Sequence, residues 1–168
     1  MRTRRSQGLP ARLGQPATRS LSRDDLPRTR DLLAVLPELY PHGDAWLERR
    51  LDDALAGRAR CTLVEVDNAV AGVAIETPKG SGRLKLSTFL IADEFRNCGL
   101  GGTFIRALHD RWVLERVQQV HVTVAENNHD QLNRALRPVG FLTVAHEWHR
   151  YGPERSEYVM TCLPTELH

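Results

Sequence analysis

Leu84-Lys85-Leu86-Ser87-Thr88-Phe89-Leu90-Ile91, then Arg96-Asn97-Cys98-Gly99-Leu100-Gly101-Gly102, then an amphipathic run from Thr103, reads strand, glycine turn, helix. Glycines at a helix start let backbone N–H groups crowd around an anion, and the helix dipole adds partial positive charge there. The turn is therefore suited to a diphosphate. A P-loop needs Gly-Lys-Ser/Thr, and after Gly101 this chain offers Gly102-Thr103-Phe104 with no lysine, which argues against ATP or GTP. A dinucleotide fingerprint needs a small residue three positions after its second glycine, where Phe104 stands, and a ribose-binding acid in the following βαβ unit. NAD fits poorly as well.

The remaining pattern, Arg-x-x-Gly-x-Gly after a strand, resembles the GNAT superfamily of acetyl-CoA-dependent N-acetyltransferases. Asp24-Asp25-Leu26 before a helical pattern is similar to that family's first helix, Gly72-Val73-Ala74 to the strand before the motif strand, and Gly140-Phe141 to the close of its last helix. The likeness spans roughly residues 18–163. It implies a mixed α/β fold, with a central, mostly antiparallel sheet, one parallel splayed strand pair and about four flanking helices. It implies acetyl-CoA as cosubstrate, with the pyrophosphate on Arg96, Asn97, Cys98, Gly99, Leu100, Gly101 and Gly102 and the pantetheine on Phe89, Leu90 and Ile91. Asn128 and His129 fall where the family often has an asparagine contacting the pantetheine. Tyr40 and His42 fall between the first two helices, which in this family border the acceptor site.

A chain of 168 residues with 41% hydrophobic content suits one domain with a substantial core. No apolar run is long enough for a membrane span, and the N-terminus has charge without a signal-peptide core, so the expected location is the cytoplasm. Cys61, Cys98 and Cys162 are odd in number and lack metal spacing, which points to free thiols and no metal. The net charge of +2 hides an asymmetry: residues 1–20 carry five arginines and no acid, leaving −3 on the other 148. Residues 1–17 read as a disordered basic arm and 18–168 as the folded domain. No aromatic residue interleaves those arginines to stack bases.

Along the chain, Thr18–Ser22 reads as a short strand, and Asp24 or Asp25 caps a helix with Leu26, Leu32, Leu33 and Leu36 at helical spacing. A second helix is expected from Asp44 to Ala56, stopped by Gly57. Cys61–Val66 and Val70–Glu76 form a hairpin around Asp67-Asn68-Ala69. A helix from Gly101 to about Arg116 buries Phe104, Ile105, Leu108 and Trp112, and returns the chain to a strand at Gln119–Ala125, parallel to the motif strand. Another helix follows near His129, and Phe141–Glu147 with Glu157–Leu163 make a final antiparallel pair. In this family that hairpin often joins two copies, so a homodimer is the expectation from resemblance.

Acyl transfer to an amine needs a group to take the amine proton. The candidates are His121 on the strand facing the pantetheine, Glu126 at that strand's end, Glu76 at the end of the hairpin strand, and His129 at the start of the next helix. Many GNAT enzymes carry a tyrosine four residues before the Gly-Phe, as acid for the departing thiolate; Leu136 stands there, and Tyr151 or Tyr158 is the substitute candidate. The sequence thus reads as an N-acetyltransferase transferring acetyl directly to a primary amine of a small molecule or protein. The alternatives are a non-catalytic acyl-CoA sensor, and a protein that contacts nucleic acid through its arginine arm.

Overall fold

The computed structural model describes residues 14–36, 42–149, 152–153 and 155–165. The greater part of the basic arm, Tyr40 and Tyr151 lie outside the described residues. The strands among the described residues are β1 (Ala17–Ser20), β2 (Arg60–Val66), β3 (Ala69–Pro78), β4 (Arg83–Ile91), β5 (Gln119–Ala125), β6 (Leu142–Glu147) and β7 (Glu157–Cys162). The α-helices among the described residues are α1 (Leu26–Leu33), α2 (Gly43–Leu55), α3 (Leu100–Leu114) and α4 (His129–Leu136).

The strands make one sheet in the order β1-β2-β3-β4-β5-β7-β6. Every neighbouring pair is antiparallel except β4 and β5. The β2–β3 hairpin turns through Asp67 and Asn68, both at positive φ, the backbone that matches the twist of a two-residue hairpin and that Asp and Asn tolerate. Inside β3, an added Cβ at Gly72 would lie 2.8 Å from the Leu90 carbonyl oxygen and 2.9 Å from Val64, so close packing of three strands requires glycine there.

Alternation along the strands divides the core into two layers. On one face Leu86, Val120, Val122, Val124 and Met160 pack beneath α3 and α4, against Phe104, Leu108, Trp112 and Leu136. On the other, Cys61, Leu63, Val73 and Ile75 pack beneath Leu33 of α1 and Leu47 and Leu51 of α2. Fully burying each such side chain is worth about 1.5–3 kcal/mol, so both helical layers are fastened by ordinary apolar burial.

The parallel pairing of β4 and β5 is short. It comprises Arg83↔Gln119, Leu84↔Val120 and Lys85↔His121, although β4 continues to Ile91 and β5 to Ala125. The break coincides with a β-bulge: Ile75 pairs with Thr88 and Glu76 with Leu86, leaving Ser87 as the extra residue. Its hydroxyl shares a 3.0 Å hydrogen bond with Thr77. The extra residue reverses which side chains face which layer. Leu84 and Leu86 point to α3, but beyond the bulge it is Phe89 and Ile91 that do so, while Leu90 packs with the α1/α2 layer.

Candidate active site

Past Lys85 and His121 the facing edges of β4 and β5 have no strand partner, so their backbone N–H and C=O groups must be satisfied by something else. A cleft of about 1170 Å³ fills this gap. It is lined from both faces of the sheet: Asn97, Gly99, Gly101 and Gly102 at the start of α3 with Asn128 just before α4 and Gln131 within it, and, opposite them, Leu36, His42 and Trp46 from the α1/α2 layer. Such an opening admits one ligand from each side, meeting between the strands.

The first entrance is built by the glycine turn. Asn97 and Gly99 sit at φ 58° and 83°, the left-handed region that turns the chain sharply into α3. Arg96 locks this turn to the strand end: its Nε donates to the Ile91 carbonyl at 2.9 Å, and its Nη1 lies 2.9 Å from Asp93 Oδ1. The Cys98 thiol donates to the Phe95 carbonyl at 2.8 Å and is solvent-exposed. A Cβ added at Gly99 or Gly102 would meet no atom within 4 Å, so the absent side chains leave open space above the first turn of α3. A diphosphate fits that cradle, with free helix N–H groups to bind it. Leu100 differs from its neighbours, being buried beneath the turn. Phe89, Leu90 and Ile91 all line the cleft.

The remaining candidates are scattered. Glu126 and Asn128 line the cleft and are exposed at its mouth, and His42 lines the opposite rim. His121 stands where β4 and β5 still pair, beside the cleft, not on it. Burial, reinforced by Lys85, Lys79 and Arg83, lowers its pKa below the usual imidazole range, so the ring is neutral at pH 7. His129 turns away from the cleft: its Nε2 lies 2.9 Å from Thr143 Oγ1 and its ring 4.1 Å from that of Tyr158. Glu76 lies on the α3 side, 1% exposed, accepting hydrogen bonds from Arg111 and from the Trp112 indole. That pairing holds β3 to α3 and leaves Glu76 outside the cleft. Leu136, where the family's tyrosine would be, is fully buried and part of the cleft lining.

Among the lining residues not singled out from sequence are two buried polar ones on different strands. Glu157, which opens β7, is only 3% exposed, and Thr88, the first residue past the bulge, is 6% exposed. Parity in β7 was the available signal for Glu157, since Met160 and Cys162 face the α3 core and Glu157 takes the other face. Thr88 could not be placed without the bulge. Among the described residues no group of His, Cys, Asp and Glu side chains could hold a metal ion, and no helix is long and apolar enough to cross a membrane.

A family model described as the acetyltransferase (GNAT) family matches residues 21–141. No protein of curated function matches the chain by sequence. Among solved structures, spermidine N-acetyltransferase from Vibrio cholerae in complex with CoA and spermine is 19% identical with a TM-score of 0.74, over 89% of this chain and 96% of that one. The ribosomal-protein-S18-alanine N-acetyltransferase from Escherichia coli is 16% identical with a TM-score of 0.74, over 92% and 97%. A GNAT family acetyltransferase from Elizabethkingia anophelis with acetyl-CoA bound is 13% identical with a TM-score of 0.71, over 88% and 97%. At these identities the likeness establishes the fold.

Proposed function

The chain belongs to the acetyltransferase (GNAT) family, and from that premise we propose that it transfers the acetyl group of acetyl-CoA directly to a primary amine. The observation that carries this reading is the cleft between β4 and β5, open to both faces of the sheet with the glycine turn at one entrance. Acetyl-CoA supplies the activated acyl group. Gly99, Gly101, Gly102 and Asn97 would receive its pyrophosphate, Arg96 would hold the turn in place, and the strand end Phe89–Ile91 would run along its pantetheine. Cys98 would brace the turn through its thiol bond to the Phe95 carbonyl, and Leu100 would anchor it from beneath. The unpaired N–H groups of β4 past the bulge are suited to stabilise negative charge developing on the acyl oxygen.

The acceptor amine must lose a proton before it attacks. Glu126, on the cleft wall at the end of β5, is placed to pass that proton to solvent, and the neutral ring of His121 offers a second acceptor beside the cleft. Asn128 belongs to the proposed cofactor side and His42 to the acceptor side. Glu76 and His129 are left out of the proposed machinery because their polar atoms are committed elsewhere. Three free thiols agree with action in the cytoplasm, and exposed Leu142, Val144 and Trp148 around β6 support a homodimer through that edge.

Titrating the protein calorimetrically with acetyl-CoA and with coenzyme A tests the cofactor site; micromolar binding is expected, and none to either ligand would overturn the reading. Leu136 favours one competing reading, an acyl-CoA sensor without turnover, because the cleft there offers no proton to a departing thiolate. Release of free thiol with a panel of primary amines decides between enzyme and sensor.

A further inference from the structure

One stripe of helix α2 faces the cleft: His42 at its N-cap, then Trp46 and Arg49, all of which line it. Steps of four and three residues keep side chains on one face of a helix, with the Cβ atoms of neighbours about 5–6 Å apart. Trp46 also packs against the α1/α2 core, as Leu36 and Leu90 do, so the wall beside Arg49 is apolar. The next residue along the helix fixes the height of this stripe over the sheet. Arg50 Nη1 lies 3.5 Å from Thr77 Oγ1, and Thr77 is 3.0 Å from the Ser87 hydroxyl in the bulge. Arg49 thus stands level with the place where the β4–β5 ladder has ended, just past Lys85 and His121. Glu48 pairs with Arg30, and Asp53, one turn on from Arg49, pairs with Arg50 and Arg58. Lys85, Arg155 and Glu157 line the cleft too, but each already has a partner. Arg49 has no hydrogen bond or ion pair among the described residues.

We infer that Arg49 binds a carboxylate carried by the acceptor, whose class is therefore a small aminocarboxylate. Its amine reaches the strand gap, its carboxylate meets the Arg49 guanidinium, and its hydrocarbon stem runs along Trp46. This rests on the acetyltransferase reading and narrows its acceptor. The planar guanidinium presents two parallel N–H groups to a carboxylate, which makes the pair stronger and more selective in geometry than a point charge would. One guanidinium also balances one unit of charge. A phosphate monoester carries about −1.5 to −2 at neutral pH and would be left partly uncompensated on this wall, where the other lining cations already have partners.

The test is calorimetric titration into the protein saturated with coenzyme A, which carries no acyl group and permits no turnover. The ligands are β-alanine, γ-aminobutyrate and ε-aminohexanoate, each set against its own amide, which has the same shape and the same amine but no negative charge. At the stem length that spans the gap, the acid is expected to bind about fivefold more tightly than its amide, the upper range for an ion pair open to solvent. Arg49→Gln should erase that preference while leaving coenzyme A affinity unchanged, and Arg49→Lys should keep part of it, because the charge remains and the fork is lost. Arg49 is exposed on a helix surface, so neither change threatens folding. Equal affinity for acid and amide in every pair overturns the assignment, as does a preference that survives Arg49→Gln or a failure of every ligand to bind. Loss of coenzyme A binding by the wild type counts against the cofactor reading instead, and the same pairs titrated into the free protein still report on Arg49.

Discussion

Replacing Glu76 with glutamine separates a structural carboxylate from a catalytic one. Glu76 is 1% exposed, and its two oxygens accept from the Arg111 guanidinium and the Trp112 indole. Glutamine keeps the shape and one acceptor but turns an amide N–H toward a donor and removes the negative charge. Losing hydrogen bonds to a charged group costs about 1.5–3 kcal/mol, and breaking a fully buried ion pair about 3–5. The Arg111 side chain is 28% exposed and can turn toward water, which places the expected cost near the lower figure, about 2–3 kcal/mol. For a chain of this size that lowers Tm by about 4–12 °C. Differential scanning calorimetry reads the shift, and a parallel titration should find acetyl-CoA affinity unchanged, because Glu76 lies outside the cleft. A Glu76→Gln protein with the wild-type Tm would refute the network as a source of stability. One with intact Tm and a hundredfold loss of amine-dependent thiol release would make Glu76 part of the chemistry.

Three further outcomes are expected. Gly102→Glu places bulk and negative charge in the open space above α3 without backbone strain, unlike Gly99 at φ +83°, and should abolish acetyl-CoA binding while leaving Tm within about 2 °C, because a surface change of this kind moves stability by only about 0.5 kcal/mol; unchanged affinity in calorimetry would remove the pyrophosphate assignment. Cys98→Ser should bind acetyl-CoA as the wild type does, since the thiol only donates to the Phe95 carbonyl and a serine hydroxyl repeats that bond; a large loss in the same titration would give the thiol a role. Asp25, paired with Arg19 and bonded to Ser22, is held well below the usual carboxylate range, so it contributes stability that is present above the unfolded pKa of about 3.9 and lost as pH falls below it. Urea unfolding of Asp25→Asn against the wild type should show a gap at pH 7 that narrows toward pH 3, and a constant gap would sink the account.

The elements were legible because each rests on local chemistry. Asp67-Asn68 supplies the positive-φ turn of the hairpin, Phe104, Ile105, Leu108 and Trp112 supply the buried stripe of α3, and Gly99 supplies the turn into it. The glycine turn at the cleft was legible for the same reason, since backbone and glycines within one short segment build it. The α1/α2 side of the cleft was not. It is assembled from β4, β5, β7 and the α1/α2 layer, and side-chain identity says nothing about which distant strands become neighbours. Glu76 and Glu157 are both strand glutamates in sequence, yet the first is tied to α3 and the second lines the cleft. Tertiary pairing alone distinguishes them.

One residue connects these failures to the function. With Ser87 extra, β4 presents Thr88 and Leu90 to the α1/α2 side and Phe89 and Ile91 to the α3 side, where Phe89 stacks on Phe104 at 5.3 Å. A regular strand would carry the parity of Leu84 and Leu86 onward and bring Thr88, in place of Phe89, against the apolar α3 core. Phe89 would then face the α1/α2 side and lose its aromatic partner. Pairing with β5 could also continue, and no gap would open. Neither glycine nor proline marks the position, only Leu-Ser-Thr, so period-two reading passes over it. The bulge is therefore best understood as the feature that opens the sheet: the parallel ladder ends there, backbone of β4 is left facing the cleft, and Thr88 is turned to the α1/α2 side.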